Sequence, residues 1–576
     1  MLFKLAWKFL HRRIPTLLGI FLLQIGATVA ALFLPDLNAR IINEGVVVGD
    51  TATIWRLGGL MIAFTVVQIV CSTLAIILSA VVSMRLGRWL RRKQFVNAQT
   101  FSTDQLTHFG PPSLITRTTN DVQQVQMVTF MTLTMAVMAP LMGVGAIVMA
   151  LRQSVQVSQM LLVVVPLIAA VIGLVMWKMV PLFKTQQKRI DRMNTVLREQ
   201  LSGMRVIRAF VRQETERAKY EQVNTELRGV AMKIGALFAF MFPATQLVIW
   251  TAQVLVIWFG GHLIAAGSME VGSLIAFINY LMQIFMAVMM AGFIFVMVPR
   301  GSVSAERINE VLVTESNLHV PGHPKALAGP AEFSLSDVTI SYPGAEAPVL
   351  KNLSVNFPRG SVTGVIGPTA SGKSSLVNVI PRLFDVVGGE VQMNGEDVRD
   401  YRLSEVRRRI SLVPQKAYLF SGTIASTVSG SSDEKLIDRD RVEWALKGAQ
   451  AYDFVSTLDE GIDSELDTGG QNFSGGQRQR LAIARALYRD ADLYIFDDSL
   501  SALDAATEKR LRDGLSEYVG EAAVIVVSQK TSSIVDADQI LVLGEGQAQG
   551  LGTHSQLLRD CPLYSEIASS QVGEAK

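Results

Sequence analysis

The apolar run Leu493-Tyr494-Ile495-Phe496 is followed at once by two carboxylates, Asp497 and Asp498. A run of this kind reads as a buried strand, and open α/β sheets bind ligands at the carboxyl ends of their strands. Asp497 is thus placed to hold Mg2+ through its water shell, and Asp498 to serve as a base beside a water that attacks a phosphoryl group. Upstream, a strand-like stretch at 361–366 leads into Gly367-Pro368-Thr369-Ala370-Ser371-Gly372-Lys373-Ser374 and then into the helix-compatible Ser375-Leu376-Val377-Asn378-Val379. The glycine spacing lets backbone N–H groups wrap a β-phosphate. Lys373 adds a point charge for the β- and γ-phosphates, and the Ser374 hydroxyl reaches Mg2+. Strand, loop and helix occur in the order this motif demands, so a nucleotide site is the reading.

Other residues add to that chemistry. Tyr342 is an aromatic at a turn that could stack on adenine, and Gln415, ending the run Leu412-Val413-Pro414, offers an amide to Mg2+ or to the attacking water. Ser474-Gly475-Gly476-Gln477 opens a helical stretch and makes a second anion-binding N-terminus. The chain already owns one complete phosphate loop, so this second cradle suggests phosphate from another chain's nucleotide.

The elements that must carry these residues divide the 576-residue chain between two solvents. Mean hydropathy of +0.33 with 18% charged residues is too apolar for a wholly soluble protein, and the apolar excess lies before about residue 300. A net charge of +3 gives no reason to expect nucleic acid, because Lys and Arg cluster beside apolar stretches. The two cysteines, Cys71 and Cys561, imply no disulfide framework. Six stretches are long enough to cross a bilayer as helices, near 14–35, 57–84, 127–151, 158–182, 234–266 and 270–298. A short amphipathic helix over 1–13 precedes them and suits the membrane interface. Apart from Lys178 near one end, none carries a charge deep inside, which argues against a proton relay or fixed-charge ion path.

Positive charge follows the second span (Arg85, Arg88, Arg91, Arg92, Lys93) and the fourth (Lys184, Lys188, Arg189, Arg192, Arg198), which places both termini in the cytoplasm of a multi-pass cell-membrane protein. The connections 85–126 and 183–233 keep helical periodicity and should continue the spans outward. Each has one interruption, before 114–121 and before 204–210, where a short helix could touch a soluble domain or simply cap a hairpin. Gln283 and Asn279, uncharged polar residues inside the last span, could face a cavity or bond a neighbouring helix. Composition shifts across a linker at 311–332 and becomes that of a largely parallel α/β domain from 333 onward.

Six spans joined to this phosphate loop, this Ser-Gly-Gly-Gln signature and this acid-bearing strand resemble a half-transporter of the ABC exporter superfamily over nearly the whole chain. The resemblance implies an α-helical six-span transmembrane domain at 1–310 and an α/β P-loop ABC ATPase domain at 333–576. It also implies ATP and Mg2+ as cofactors and coupling helices near 111–120 and 204–212. Carried over by position, Gly367, Pro368, Thr369, Ala370, Ser371, Gly372, Lys373, Ser374 and Ser375 cradle phosphate, and Tyr342 stacks on adenine. Gln415 becomes the coupling-loop glutamine, a Mg2+ ligand with Ser374 and Asp497. Asp504 ends the loop that crosses to the partner, and Ser474, Gly475, Gly476 and Gln477 serve the partner's ATP.

Two departures alter the expected chemistry. The family's hydrolytic Glu is matched by Asp498, and its switch histidine by Gln529, so the catalytic set Asp498, Gln529, Asp497 and Lys373 should bind ATP yet hydrolyse it slowly. The chain then resembles the degenerate-site subunit of bacterial heterodimeric multidrug-type exporters. Its expected partners are a second, different half-transporter subunit, membrane lipid and a small hydrophobic substrate such as a drug or lipid. An importer of siderophores or lipids on the same fold, or an ATP-gated regulatory protein, is the alternative.

Overall fold

In a computed structural model, residues 1–319, 321–327, 329–342 and 344–573 are described, with the side chains of residues 295, 296, 572 and 573 excluded. The linker residues Val320 and Ala328 thus lie outside the described residues, as do 574–576 at the end of the expected ATPase domain. Two compact units result, Met1–Ala98 with Pro112–Thr314, and Gln99–Pro111 with Glu315–Lys576.

Six helical segments in the first part of the chain are long and apolar enough to cross a membrane: Leu2–Val46, Thr51–Ala98, Pro111–Gln153, Val155–Ser202, Gln213–Ala265 and Val271–Val313. Each is 43 to 53 residues long, against the roughly 20 a bilayer requires, so much of every helix projects beyond the apolar layer. Polar groups tie the segments together where hydrocarbon alone gives no direction. The Tyr280 hydroxyl donates to Leu32 O at 2.9 Å, and the Gln24 amide donates to Leu133 O. Buried Asp121 accepts from Ser304 Oγ at 2.8 Å, with the Arg307 guanidinium 3.7 Å away. Gln283 bonds a neighbouring helix at Ala31 O, whereas the Asn279 amide turns back to Ile275 O of its own helix.

The first short helix is not where the sequence places it. Residues 111–120 belong to the rising helical segment, and the separate short helix is Thr103–Phe109. Ser102 and Gln105 form a reciprocal capping box that starts it, and Gly110, at φ 73°, ends it. Pro111 and Pro112 then open the next helix, where a missing N–H costs nothing. The interruption is correctly read from Gly110-Pro111-Pro112, but the helix lies on its other side. Gln99–Pro111, within the stretch 1–310 expected to form the first domain, groups with the second unit. There Thr103 N donates to Leu383 O at 3.0 Å and the Gln105 amide to Glu315 O at 2.7 Å. The second short helix, Met204–Ala209, starts at Gly203 and is followed by Val211 at φ 54°. The last long helix runs to Val313, so the linker begins about three residues later than expected.

The second unit contains strands β1 (Phe333–Ile340), β2 (Leu350–Phe357), β3 (Val362–Ile366), β4 (Gly388–Met393), β5 (Glu396–Asp397) and β6 (Ile410–Val413). They are followed by β7 (Gly422–Thr423), β8 (Glu465–Leu466), β9 (Leu493–Asp497), β10 (Ala523–Val527), β11 (Gln539–Gly544) and β12 (Gln547–Gly552). The central sheet has the order β12-β11-β3-β10-β9-β6, parallel except for β12, and an antiparallel sheet has the order β2-β1-β4-β5. β9 is buried on both faces, as its unbroken apolar run requires. Leu493 and Ile495 pack in the core shared with Phe333 and Val355, while Tyr494 and Phe496 pack with Leu481 and Ile483 of the helix Gly475–Tyr488.

Register brings the strand ends level. Val527 pairs with Asp497 on one side and Val365 on the other, and Phe496 pairs with Val413. Gly367 follows directly, where a Cβ would come to 2.1 Å from Leu543 O. Replacing Gly367 by Ala should destabilise the second unit by about 1–3 kcal/mol through that backbone clash, seen as an earlier unfolding transition in calorimetry. Gly514→Ala, in open space within the helix Ala505–Val519, should move the transition the other way by about 0.5–1 kcal/mol.

Candidate functional site

Four adjacent parallel strands, β3, β10, β9 and β6, deliver the residues of interest from their carboxyl ends. β3 supplies the phosphate loop and β10 leads to Gln529. β9 ends in Asp497 and is followed by Asp498, and β6 leads to Gln415. This is the edge where parallel α/β sheets place ligands.

The loop after β3 closes tightly. Ala370 (φ 66°) and Gly372 (φ 101°) both adopt left-handed backbone, and a Cβ on Gly372 would meet Leu350 at 2.4 Å. Gly372 caps the helix Lys373–Val379, whose free N–H groups face the loop. The Lys373 ammonium lies back across its own loop, donating to Gly367 O at 2.6 Å and Pro368 O at 2.7 Å, with Ser371 Oγ at 3.4 Å. Burial pushes the Lys373 pKa below the usual lysine range, against the pull of Asp498 and Asp497. Pro368, Thr369, Ala370 and Ser374 are exposed. Ser375 is instead buried, its hydroxyl 2.9 Å from that of Tyr342. Tyr342 therefore has its hydroxyl fixed on the phosphate-loop helix and its ring edge-on to Phe384, centroids 5.5 Å apart.

Three separately flagged residues converge on one atom. Asp498 Oδ2 accepts from the Gln415 amide at 3.2 Å and from the Gln529 amide at 3.1 Å. Its Oδ1 is buried and has no hydrogen-bond partner. The backbone of Asp498 is left-handed at φ 46°, held by its N–H on Val527 O (3.0 Å) and by Ser501 Oγ on its carbonyl (2.7 Å). Left-handed backbone at a non-glycine residue costs energy and persists where its surroundings fix it. Asp497 beside it is raised in pKa, chiefly by burial and further by the Asp498 charge, with Lys373 opposing. The unpaired Oδ1 and the exposed Ser374 hydroxyl are polar groups suited to a water or a metal-bound water.

Gln571 is a residue that local pattern does not reveal. Its amide donates to Gln529 O at 2.7 Å, and its carbonyl accepts from Thr531 N at 2.8 Å, so the helix Pro562–Gly573 anchors the turn that carries Gln529. Only tertiary folding brings it there, 42 residues along the chain.

The signature turn is a capping box. Ser474 Oγ accepts from Gln477 N, and the Gln477 side chain accepts from Ser474 N. A Cβ added to Gly475 would meet nothing within 4 Å, and one on Gly476 would lie 3.4 Å from Ala502 O. Among the described residues no hydrogen bond joins this turn to the phosphate loop; Gln479 of the same helix reaches Pro414 O instead. Asp504 caps the helix Ala505–Val519 through Thr507 N, and hydrogen bonds from Thr507 hold its pKa below the usual carboxylate range.

The family model described as ABC transporter transmembrane region matches residues 17–288, and the one described as ABC transporter matches residues 350–501. An uncharacterized ABC transporter ATP-binding protein of Mycobacterium tuberculosis is 44% identical, over 97% of this chain and 96% of its own length. Another from Bacillus subtilis, YfiB, is 35% identical over 96% of each. The ATP-dependent lipid A-core flippase of Vibrio vulnificus is 30% identical over 80% of this chain and 79% of its own. A solved bacterial Atm1-family ABC exporter with ATP bound has the same fold, with a TM-score of 0.80 over 98% of this chain and 99% of that one at 22% identity.

The raised Asp497 pKa makes its charge a cost to the free protein, absent below the unfolded value, 3.8, and complete above the folded one. Asp497→Asn should therefore raise the unfolding temperature of the nucleotide-free protein at neutral pH. That gain should shrink as pH falls toward the unfolded value.

Proposed function

Because the chain belongs to the ABC transporter family, with the membrane and ATPase domains of an exporter half-transporter in one polypeptide, we propose that it holds its own ATP and supports hydrolysis of a partner's. The observation that carries this reading is the Asp498 carboxylate bound by the amides of Gln415 and Gln529.

In phosphoryl transfer to water, an oxygen of water bonds the γ-phosphorus, the bond to the β–γ bridging oxygen breaks, and a proton must leave the water. Asp498 is one methylene shorter than Glu. A displacement of about 1 Å can cost around a hundredfold in rate, or about 2.7 kcal/mol. Gln529 can donate a hydrogen bond to a phosphate oxygen but cannot become a cation. Both amides instead donate to Asp498 Oδ2, which leaves Oδ1 as the oxygen open to a water. Binding draws on the phosphate-loop N–H groups and Lys373 for the phosphates, on Ser374, the side-chain carbonyl of Gln415 and water-linked Asp497 for Mg2+, and on Tyr342 for adenine.

The signature supports the second half of the reading. Gly475 is not made necessary by its own chain, since a Cβ there meets nothing. A bare helix N-terminus with two glycines suits the close approach of a phosphate from outside. Such a subunit pairs with a different chain that supplies Glu and His at the matching positions. The apolar spans and the likeness to lipid A-core flippases favour a hydrophobic or amphipathic cargo, lipid or drug, moved outward. The ATPase domain and both termini then face the cytoplasm, in agreement with the basic residues after the second and fourth spans.

Purified alone, the chain should hydrolyse ATP slowly. Co-purified with a second half-transporter that carries Glu and His at the matching positions, the complex should turn over at least about a hundredfold faster. Replacing the partner's catalytic Glu with Gln should abolish that rate, whereas Asp498→Asn should leave most of it. Brisk turnover by the lone chain would contradict the proposal.

A further inference from the structure

The long helices Leu161–Ser202 and Val271–Val313 meet and then part. At Gly292 a Cβ would lie 3.4 Å from Ile172, so the two backbones are close there, and Ile168, Ile172, Ile284 and Phe285 share one core. From this contact toward residues 184 and 300 the same helices line an open cavity of about 1250 Å3. That exceeds the roughly 300–1,000 Å3 typical of small-molecule pockets. Its walls are apolar, with Trp177, Phe183, Val288 and Ala291 among the lining residues.

Its charged lining residues are all of one sign. Lys178, Lys184 and Arg300 all line the cavity, and no carboxylate does. Among the described residues none of the three takes part in an ion pair. Arg300 is steadied by the Phe183 ring, its guanidinium carbon 5.6 Å from the ring centroid. Lys178 lies at the end of the fourth apolar span, and Lys184 and Arg300 just beyond the fourth and sixth, where lysine and arginine reach toward lipid headgroups. Snorkelling alone would scatter such cations around the helices. Here they share one apolar-walled cavity.

We propose that this cavity binds an anionic lipid, with its tails against Trp177, Phe183 and Val288 and its phosphate among Lys178, Lys184 and Arg300. Charge complementarity sets the headgroup: three cations without counter-ions favour a phosphate and give no carboxylate to pair the ammonium of a zwitterion. The cavity volume sets the rest, since an inorganic anion would leave the apolar walls empty. The inference deepens the transporter reading and rests on it for the purpose of the site. Its test uses no ATP, so failure of the site and failure of the transport reading are distinguishable.

The delipidated full-length chain in nonionic detergent would be titrated with dioleoyl phosphatidate, dioleoyl phosphatidylcholine and glycerol phosphate, with binding read by native mass spectrometry. Phosphatidate should bind about tenfold or more tighter than phosphatidylcholine, whose headgroup carries its own ammonium, and glycerol phosphate should not compete. The triple variant K178Q/K184Q/R300Q should lose the preference. The charge-conserving K178R/K184R/R300K should keep it, as should R85Q/R88Q, which neutralises cations outside the cavity. Equal binding of the two lipids, preference that survives the triple neutralisation, or competition by glycerol phosphate would each overturn the proposal.

Discussion

The site depends on one shared acceptor. Asp498 Oδ2 is held by amides that arrive from the ends of two different strands, β6 and β10, while Asp498 itself follows the strand between them. A carboxylate fixed from both sides cannot swing freely toward a third position without giving up two hydrogen bonds, each worth about 0.5–1.5 kcal/mol or more where one partner is charged. Its left-handed backbone adds a further constraint, set by the N–H bond to Val527 and the Ser501 hydroxyl on its carbonyl. Position is thus well determined, whereas reach is one methylene short of the family's Glu. That combination is what supports the proposal of slow hydrolysis on this chain.

Around this acceptor one cation stands against two carboxylates. Lys373 faces two carboxylates, and burial works against the charged form of both Lys373 and Asp497. Phosphate and a divalent cation supply opposite charges to such a site, so the strain felt by the free protein is of the kind that nucleotide relieves. The parallel sheet makes this arrangement possible because it aligns Val365, Val527 and Asp497 in register. A slip of one residue in β9 would turn Asp497 to the other face of the sheet.

Much of this is legible in the residues themselves. The phosphate loop, the acid-bearing strand and the six long apolar stretches are local patterns, and local patterns survive translation into structure. The position of the first short helix is not legible in the same way. Gly110-Pro111-Pro112 marks a break, but which side carries the short helix depends on the Ser102–Gln105 capping box, a signal easily overlooked next to two prolines. Gln571 and the shared Asp498 oxygen are long-range facts, produced by sheet order and by the docking of the last helix. The lipid-sized cavity also depends on two distant helices parting below Gly292 and Ile172, which no single stretch of sequence encodes. Ser375, grouped with the phosphate-binding residues by its place in the motif, spends its hydroxyl on Tyr342 instead.

On the proposed reading, ATP stays intact on this chain while a complex with a partner chain turns over. Photolabelling the working complex with a photoreactive ATP radiolabelled on its γ-phosphate tests this directly. Label retained on this chain through many turnovers, and lost from the partner, is the predicted result. Loss of the γ label from both chains at the same rate, with an α label retained on both, would contradict it.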